Sequence, residues 1–582
     1  MYSKYPSKRY FSLLILMPTS ALLAATSYWD SNGVTSGLGG AGTWQDTTGN
    51  WSSDLAGETT TVWTNAARDT ADFRGTAGAV TLSGTVSAGQ LLFNSGGYSL
   101  SGGGLTIGRS SGSGNFTLID VQSGTGTTTL NSGITIDDAG SVASNAIYTI
   151  NVSAASSGLI LDGDLTLDHA SGTPGGTKTF SFLTESNTAS IYVNGAILGG
   201  ANSGTMAFEF GSGGANQSQA LALNGTFYVN GDNSDVTGNS RIHGGTVYLG
   251  HDNALGSSAL SFGSSGSRGD MKLLTNGAVT ISNALSMSGG ATSQTYIGGV
   301  TAEDSTFSGD FNMNAFGSNG SPGTISTPNA IFTAAAGGRV NFSGNLRTTA
   351  QIPRGLKVEG DGVIAFTRAA GNEYKGVTEI NSGTLLLMNT SGSATGDASQ
   401  LGVGESGVFI ASGARLGGTG ITTVLVEANA AGSIISAGDM TKEGTRSIGT
   451  LHLDGGMKAT VGATFEVDIN GASIDVVDFG AADVDLDGLL TFDFESLGTV
   501  NVGMAYSLFA GSGDWTGSDA TFAFNGPDGY VLDTGYGSGE GYIWDAAGNS
   551  LTVQFAAIPE PGAYALLAGW LGLIAVMLRR RG

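Results

Sequence analysis

Short runs of alternating apolar and polar residues recur along the chain, each closed by Gly, Ser, Asn or Asp. Val80-Thr81-Leu82, Gln90 to Phe93, Leu105-Thr106-Ile107, Phe116 to Ile119, Ile134-Thr135-Ile136, Leu165-Thr166-Leu167 and Ile191-Tyr192-Val193 all read this way. A period of two sends alternate side chains to opposite faces of an extended strand, and helical periodicity is nearly absent before residue 562. Strands this short, separated by turns of similar length, cannot each bury a core. Stacked as rungs they build one apolar column, so the pattern predicts a parallel β-solenoid rather than a sandwich with longer hairpins. Gly and Asn supply the positive φ angles such corners need.

Two segments make the repeat visible. Gly244-Gly245-Thr246-Val247-Tyr248-Leu249-Gly250, followed by Asn253-Ala254-Leu255-Gly256, parallels Ser382-Gly383-Thr384-Leu385-Leu386-Leu387, followed by Ser393-Ala394-Thr395-Gly396. The second copy runs on through Gly407-Val408-Phe409-Ile410 and Gly413 to Gly420. These stretches resemble the autotransporter-associated β-strand repeat, most closely over 371–420, less so over 222–262, and by composition elsewhere. The resemblance implies an all-β, right-handed parallel β-helix (β-solenoid) in a large surface protein. The run of roughly ten-residue amphipathic strands that makes an outer-membrane barrel is not present, so export by other machinery is expected.

Both ends of the chain bear on that export. Lys4, Lys8 and Arg9 precede an apolar segment from Phe11 to Leu23, and Ala24, Ala25, Thr26 and Ser27 follow. This is the order of a secretory signal peptide, expected at 1–27 and cleaved between Ala24 and Ser27. At the other end, Pro559-Glu560-Pro561 leads into an apolar run, Gly562 to Leu578, and then Arg579, Arg580 and Arg581. As a helix the run would reach about 25 Å, near the lower limit for a membrane span, with its arginines held on the cytoplasmic side. The three parts together resemble the PEP-CTERM sorting signal of exported proteins in Gram-negative bacteria. That resemblance implies a transient inner-membrane anchor (558–582, transmembrane over 562–578) removed by an exosortase-type membrane enzyme. Pro559, Glu560, Pro561, Arg579, Arg580 and Arg581 would be its processing determinants. The product would belong to the cell surface, outer membrane or extracellular matrix, in strains that often build an exopolysaccharide biofilm.

Composition sharpens the picture. The chain has 98 Gly in 582 residues and only 12% charged residues, yet 40% are hydrophobic, enough for a core of unusual, repetitive kind. Cysteine is absent, which excludes disulfide staples and thiolate metal sites. The net charge is −24, and loss of the basic ends would make the mature chain more acidic still. Such a surface repels nucleic acid and anionic lipid and favours neutral or cationic partners.

Between the ends three regions separate. Residues 28–100 carry Trp29, Trp44, Trp51 and Trp63, with Phe73 close behind, in spacings such as Gly42-Thr43-Trp44 and Gly49-Asn50-Trp51. A first rung exposes apolar core and unpaired strand edges, so these aromatics are expected to cap the stack, with a sugar-stacking platform as the alternative. Residues 101–458 form the solenoid. Residues 459–557 are acidic and are expected to close the stack with strand-like pieces such as Tyr506 to Phe509, Thr521 to Phe524, Tyr530 to Leu532 and Ser550 to Phe555. Asp528-Gly529 and Gly548-Asn549 are candidate turns. Within this last region Asp483-Val484-Asp485-Leu486-Asp487-Gly488 imitates the start of a calcium loop, but Phe494 stands at the twelfth position where a bidentate Glu is needed. Strand alternation instead places Asp483, Asp485 and Asp487 on one solvated face, at most a weak calcium site.

Catalytic constellations are scarce. His169, His243, His251 and His452 fall in no metal-ligand spacing, and His243 and His251 read as surface or corner residues. The alternative to a surface component is a β-helix polysaccharide lyase or glycosidase, for which Asp137-Asp138 or Asp162 with Asp164 are the candidate acid pairs. Arg339, Arg347, Arg354, Lys357, Arg368 and Lys375 form the densest basic stretch, a candidate contact for acidic polysaccharide. The reading favoured by the whole chain is a non-enzymatic structural or adhesive protein. Its partners would be extracellular polysaccharide or neighbouring copies of itself.

Overall fold

In the computed structural model, residues 25–580 are described except 48, 110–113, 140–142, 154, 156, 170–174, 212–224, 264–268, 288–293, 314–325, 349–353, 397–406, 429, 460, 517–519 and 559–560. Most of the expected signal peptide, together with Pro559, Glu560 and Arg581, therefore lies outside the described residues.

The alternating runs become strands that pair in parallel with the equivalent strand of the next rung. Ile134–Ile136 lies between Ser99–Ile107 and Leu165–Leu167, and Ser190–Val193 pairs with Thr226–Val229, which pairs with Gly245–Leu249. The chain winds around three faces in sheets of 13, 21, 11 and 7 strands. One strand makes the geometry plain: Ser99–Ile107 turns a corner, so Ser99 pairs with Thr129 on one face while Leu105 pairs with Ile134 on the next. Residues stacked on one another are separated by 18 to 44 positions in the chain. The result is a three-sided parallel β-solenoid.

Alternation decides what is buried. In Leu165–Leu167 and Val484–Leu486 the outer two residues face inward and the middle one faces out. The inward residues form one contiguous apolar core from Trp29 to Phe555. Phenylalanines stack along it, as in Phe332 on Phe342 at 4.3 Å and Phe465 on Phe492 at 5.0 Å.

The repeat motif earns its sequence at the corners. Gly256 sits at φ +70, and a Cβ there would lie 2.0 Å from the Val236 carbonyl oxygen. Its counterpart Gly396 has φ +85 and faces the Tyr374 carbonyl at 2.8 Å. Only glycine meets both demands. One rung earlier, buried asparagines clip the stack. Asn233 accepts from the Ile197 amide and donates to the Ala254 carbonyl, both at 2.7 Å, and Asn372 does the same between Leu346 and Ala394. Each clip satisfies backbone groups that would otherwise be buried unpaired, a cost of about 1–3 kcal/mol per group.

At the N-terminal end the first strand, Thr26–Trp29, pairs in parallel with Thr70–Phe73 and is flanked by an antiparallel strand, Trp51–Ser52. Trp29, Trp44 and Trp51 are fully buried and Trp63 nearly so. They pack edge to face or tilted, at 5.3 Å for Trp29–Trp51, 5.0 Å for Trp44–Trp63 and 4.5 Å for Trp51–Trp63. At the other end parallel stacking runs across the composition boundary at 458/459, through Met457–Ala459, and continues to Thr521–Asn525. The stack then closes with Ser550–Ala557, which is antiparallel to Ala505–Ala510, Tyr530–Leu532 and Tyr542–Asp545. Gly529 and Asn549 take the positive φ expected of the two turns.

A 19-residue helix, Pro561–Arg579, follows. Its described side chains begin at Leu566, and Leu566, Leu567, Trp570, Leu571 and Leu578 are all at least 60% exposed. Among the described residues no helix is long and apolar enough to cross a membrane. The expected span at 562–578 therefore gains no support from the fold.

Candidate functional site

Solvent meets this protein mainly on the outward rows of its faces. On the longest face, Tyr192, Tyr228 and Tyr248 occupy matching positions of three successive rungs. Their rings stack at 4.3 Å with planes 1° apart, then at 4.8 Å and 21°. All three are half-buried, and burial pushes the Tyr228 phenol above its ordinary range, with Tyr192 and Tyr248 adding to the effect. Two residues further along each strand runs a polar row: Asn194 donates to Asp162 at 2.7 Å, and Asn230 donates to Asn194 at 2.8 Å. Parallel stacking repeats each outward group at the rung spacing of about 4.8 Å, so aromatic and amide ladders run side by side.

Further along the same face the outward row includes Lys272 over the Tyr296 ring at 4.6 Å, then the pair Lys357–Glu379 at 3.5 Å. Arg339 pairs with Asp439 at 2.8 Å and Arg368 with Glu373 at 3.6 Å. Much of the basic stretch is thus neutralised by neighbouring acids rather than presented as a free cationic patch. Arg347 and Lys375 are half-buried, and the Arg354 side chain lies outside the described residues.

The acid pairs considered for catalysis are likewise engaged. Asp137 binds Arg68 at 2.6 Å and Asp138 binds Arg109 at 2.7 Å, each arginine coming from an earlier rung. Asp162 belongs to the amide ladder, and Asp164 accepts the Ala196 amide at 2.8 Å. His243 is a corner residue, one of the two placements the sequence reading gave it. It is buried at the corner between Ser240–Ile242 and Gly245–Leu249, with Nε2 3.8 Å from Glu209. His169 is also buried, and burial pushes its imidazole below the ordinary range, with Lys178 adding to the effect.

Asp483, Asp485 and Asp487 alternate outward from the buried Val484 and Leu486, as strand periodicity requires. Asp485 lies in register with Lys458, and Asp483 accepts the Asp514 amide at 3.1 Å. Among the described residues no group of three or more His, Cys, Asp or Glu is close enough together to hold a metal ion. The four N-terminal tryptophans, weighed as a sugar platform, have no exposed ring face. Of the tail residues, Pro561 begins the terminal helix and Arg579 ends it, while Arg580 follows it directly.

One feature escaped sequence reasoning entirely. A hairpin between Gly438 and Gly449 folds back along the outside of the rod. Asp439 and the Met440 carbonyl hold Arg339, and Lys442 reaches Glu303 at 2.9 Å, across 139 residues of chain. Met440 packs on Val363, Ala365 and Leu386, an apolar cluster separate from the main core. At the hairpin's other end Arg446 binds Glu466 at 2.6 Å and the fully buried Asp468 at 2.8 Å, and also contacts Glu495. Burial pushes Asp468 up to about 6, Arg446 opposing the shift, and pushes the nearby Asp475 up to about 7. The only sequence trace of this strap is an unusually apolar outward pattern in Val363–Phe366 and Thr384–Leu387, buried on both sides.

No family model matches the chain. It is 27% identical over 485 residues to the Adhesin BmaC autotransporter of Brucella suis biovar 1 (strain 1330). The match covers 75% of this chain but 13% of that protein, so the chain corresponds to a small part of its relative's length. Together with the parallel sheets, this supports an autotransporter-like β-repeat character.

Proposed function

We propose that this protein is an exported, non-enzymatic surface component with an adhesive or structural role in the extracellular matrix. The observation that carries the reading is the pair of outward ladders, Tyr192–Tyr228–Tyr248 beside Asp162–Asn194–Asn230, on a long stacked face. Repeated aromatic edges and amides offer many identical weak contacts, and a rod that engages several at once gains avidity without a deep pocket. The similarity to a protein named an adhesin supports the same direction. Polysaccharide and neighbouring copies are the proposed partners; the net charge of −24 argues against nucleic acid.

Sorting is the second half of the proposal. The tail, with Pro559, Glu560, Pro561, Arg579, Arg580 and Arg581, would be held in the inner membrane and cut by an exosortase-type enzyme. The leader would be cut on the N-terminal side of Thr26, because Thr26 and Ser27 pair with Thr70 and Ala71 in the first rung, and a cut after Ser27 would remove that pairing.

Attachment tests the adhesive role. Cells lacking the gene are expected to bind a polysaccharide-coated surface several-fold less than the parent, with recovery on complementation. Equal attachment by both strains would remove the adhesive reading.

A further inference from the structure

The last rung of the solenoid ends unevenly. Phe522 of Thr521–Asn525 stands in register above the buried Leu490, but among the described residues no further rung covers it. The closing hairpin does so only in part, and Phe522, Tyr542 and Trp544 all stay half-buried. Between them lies an open cleft of about 440 Å³, lined also by Ser538, Glu540 and Ile543.

Its walls are ordered by the fold. Phe522 lies 5.6 Å from Tyr542 and 5.5 Å from Trp544, at interplanar angles of 58° and 52°. Trp544 is fixed from behind by stacking on Trp515 at 5.6 Å. The rim loop is pinned by the Gly541 amide donating to the Tyr536 carbonyl at 3.1 Å. Gly541 has φ +79, and a Cβ there would come 2.5 Å from that of Leu532. Glu540 sets a carboxylate at the rim beside Tyr542, whose phenol is pushed up by burial with Glu540 adding to the effect.

We infer that this cleft binds a neutral pyranose unit of a polysaccharide, a site that deepens the adhesive reading and rests on it. Aromatic faces carry negative charge density that attracts the C–H groups of a sugar ring, while Glu540 and Ser538 accept and donate hydrogen bonds to its hydroxyls. The volume falls within the range of small-molecule sites. Charge selects among sugars: no Lys or Arg occurs from residue 459 to 578, so an anionic glycan meets Glu540 without a cation from the closing strands.

The test is titration of the processed protein with cellohexaose, maltohexaose and an anionic hexagalacturonate, followed by calorimetry and tryptophan fluorescence. At least one neutral hexamer is expected to saturate the protein below ~10 mM, and the anionic one is expected not to. Trp544→Ala should weaken binding roughly tenfold. Glu540→Gln, which keeps the side chain's shape, should weaken it less and leave the melting temperature unchanged, separating binding from folding. Saturation by no neutral hexamer, equal binding by both variants and the wild type, or equal binding of the anionic hexamer would each overturn the proposal. If polysaccharide-coated surfaces retain the wild type and both variants alike, the cleft falls and the adhesive reading stands. If hexamer binding depends on Trp544 but the rod is not retained, the adhesive reading falls and the cleft stands.

Discussion

Trp44→Ala is expected to open the N-terminal end of the rod, at a cost of about 3–5 kcal/mol. Trp44 is fully buried and touches Trp51 at 5.1 Å, Trp63 at 5.0 Å and Phe73 at 5.8 Å, so its removal leaves a cavity among rigid rings that cannot collapse into it. Its indole Nε1 is buried without a hydrogen-bond partner. Trp44→Phe removes that unpaired donor along with part of the ring, and is therefore expected to cost far less than alanine. Because each rung contacts chiefly its neighbours, the damage should stay local at first. Hydrogen exchange checks this: amides of Thr70–Phe73 and Gln90–Phe93 should lose protection in Trp44→Ala while those near Phe465 keep theirs.

Arg446→Ala should be similarly severe, about 3–5 kcal/mol, because it strands Asp468, which is fully buried, beside Glu466 and Asp475. The same cluster sets a pH dependence. Asp468 and Asp475 have folded-state values raised from 3.8 to about 6 and about 7, so the folded chain holds these protons more tightly than the unfolded one. Their contribution is complete below about pH 4 and is lost as pH rises through 6 to 7, on the order of 3 to 4 kcal/mol for each group. The C-terminal rungs should therefore melt higher at pH 5 than at pH 8, and Asp475→Asn should flatten that difference. Thermal melts of both proteins across this range check the sign.

The strands themselves were legible because alternation is a local property: Ile134–Ile136 and Leu165–Leu167 are strands over the residues the pattern marks. The repeat glycines were legible for the same reason, since positive φ is demanded within a single turn. What could not be read depends on neighbours 20 or more positions away. The pairing of Asp137 with Arg68 and of Asp138 with Arg109 needs the rung register, and so do the asparagine clips at Asn233 and Asn372. The strap is further still from view, because Lys442 and Glu303 meet across several rungs. The C-terminal cleft was hidden differently: Phe522 reads as an ordinary strand aromatic, and only the incomplete cover above it leaves it half open.

The most direct test of the account is the cell fraction and intact mass of the native protein, with protease shaving of intact cells. The account predicts a chain that begins at or before Thr26, ends near Pro559 and is cut from the outside of living cells, with the tail retained when the exosortase-type enzyme is deleted. A protein that keeps its tail, stays in the inner membrane and resists shaving in both strains would contradict it.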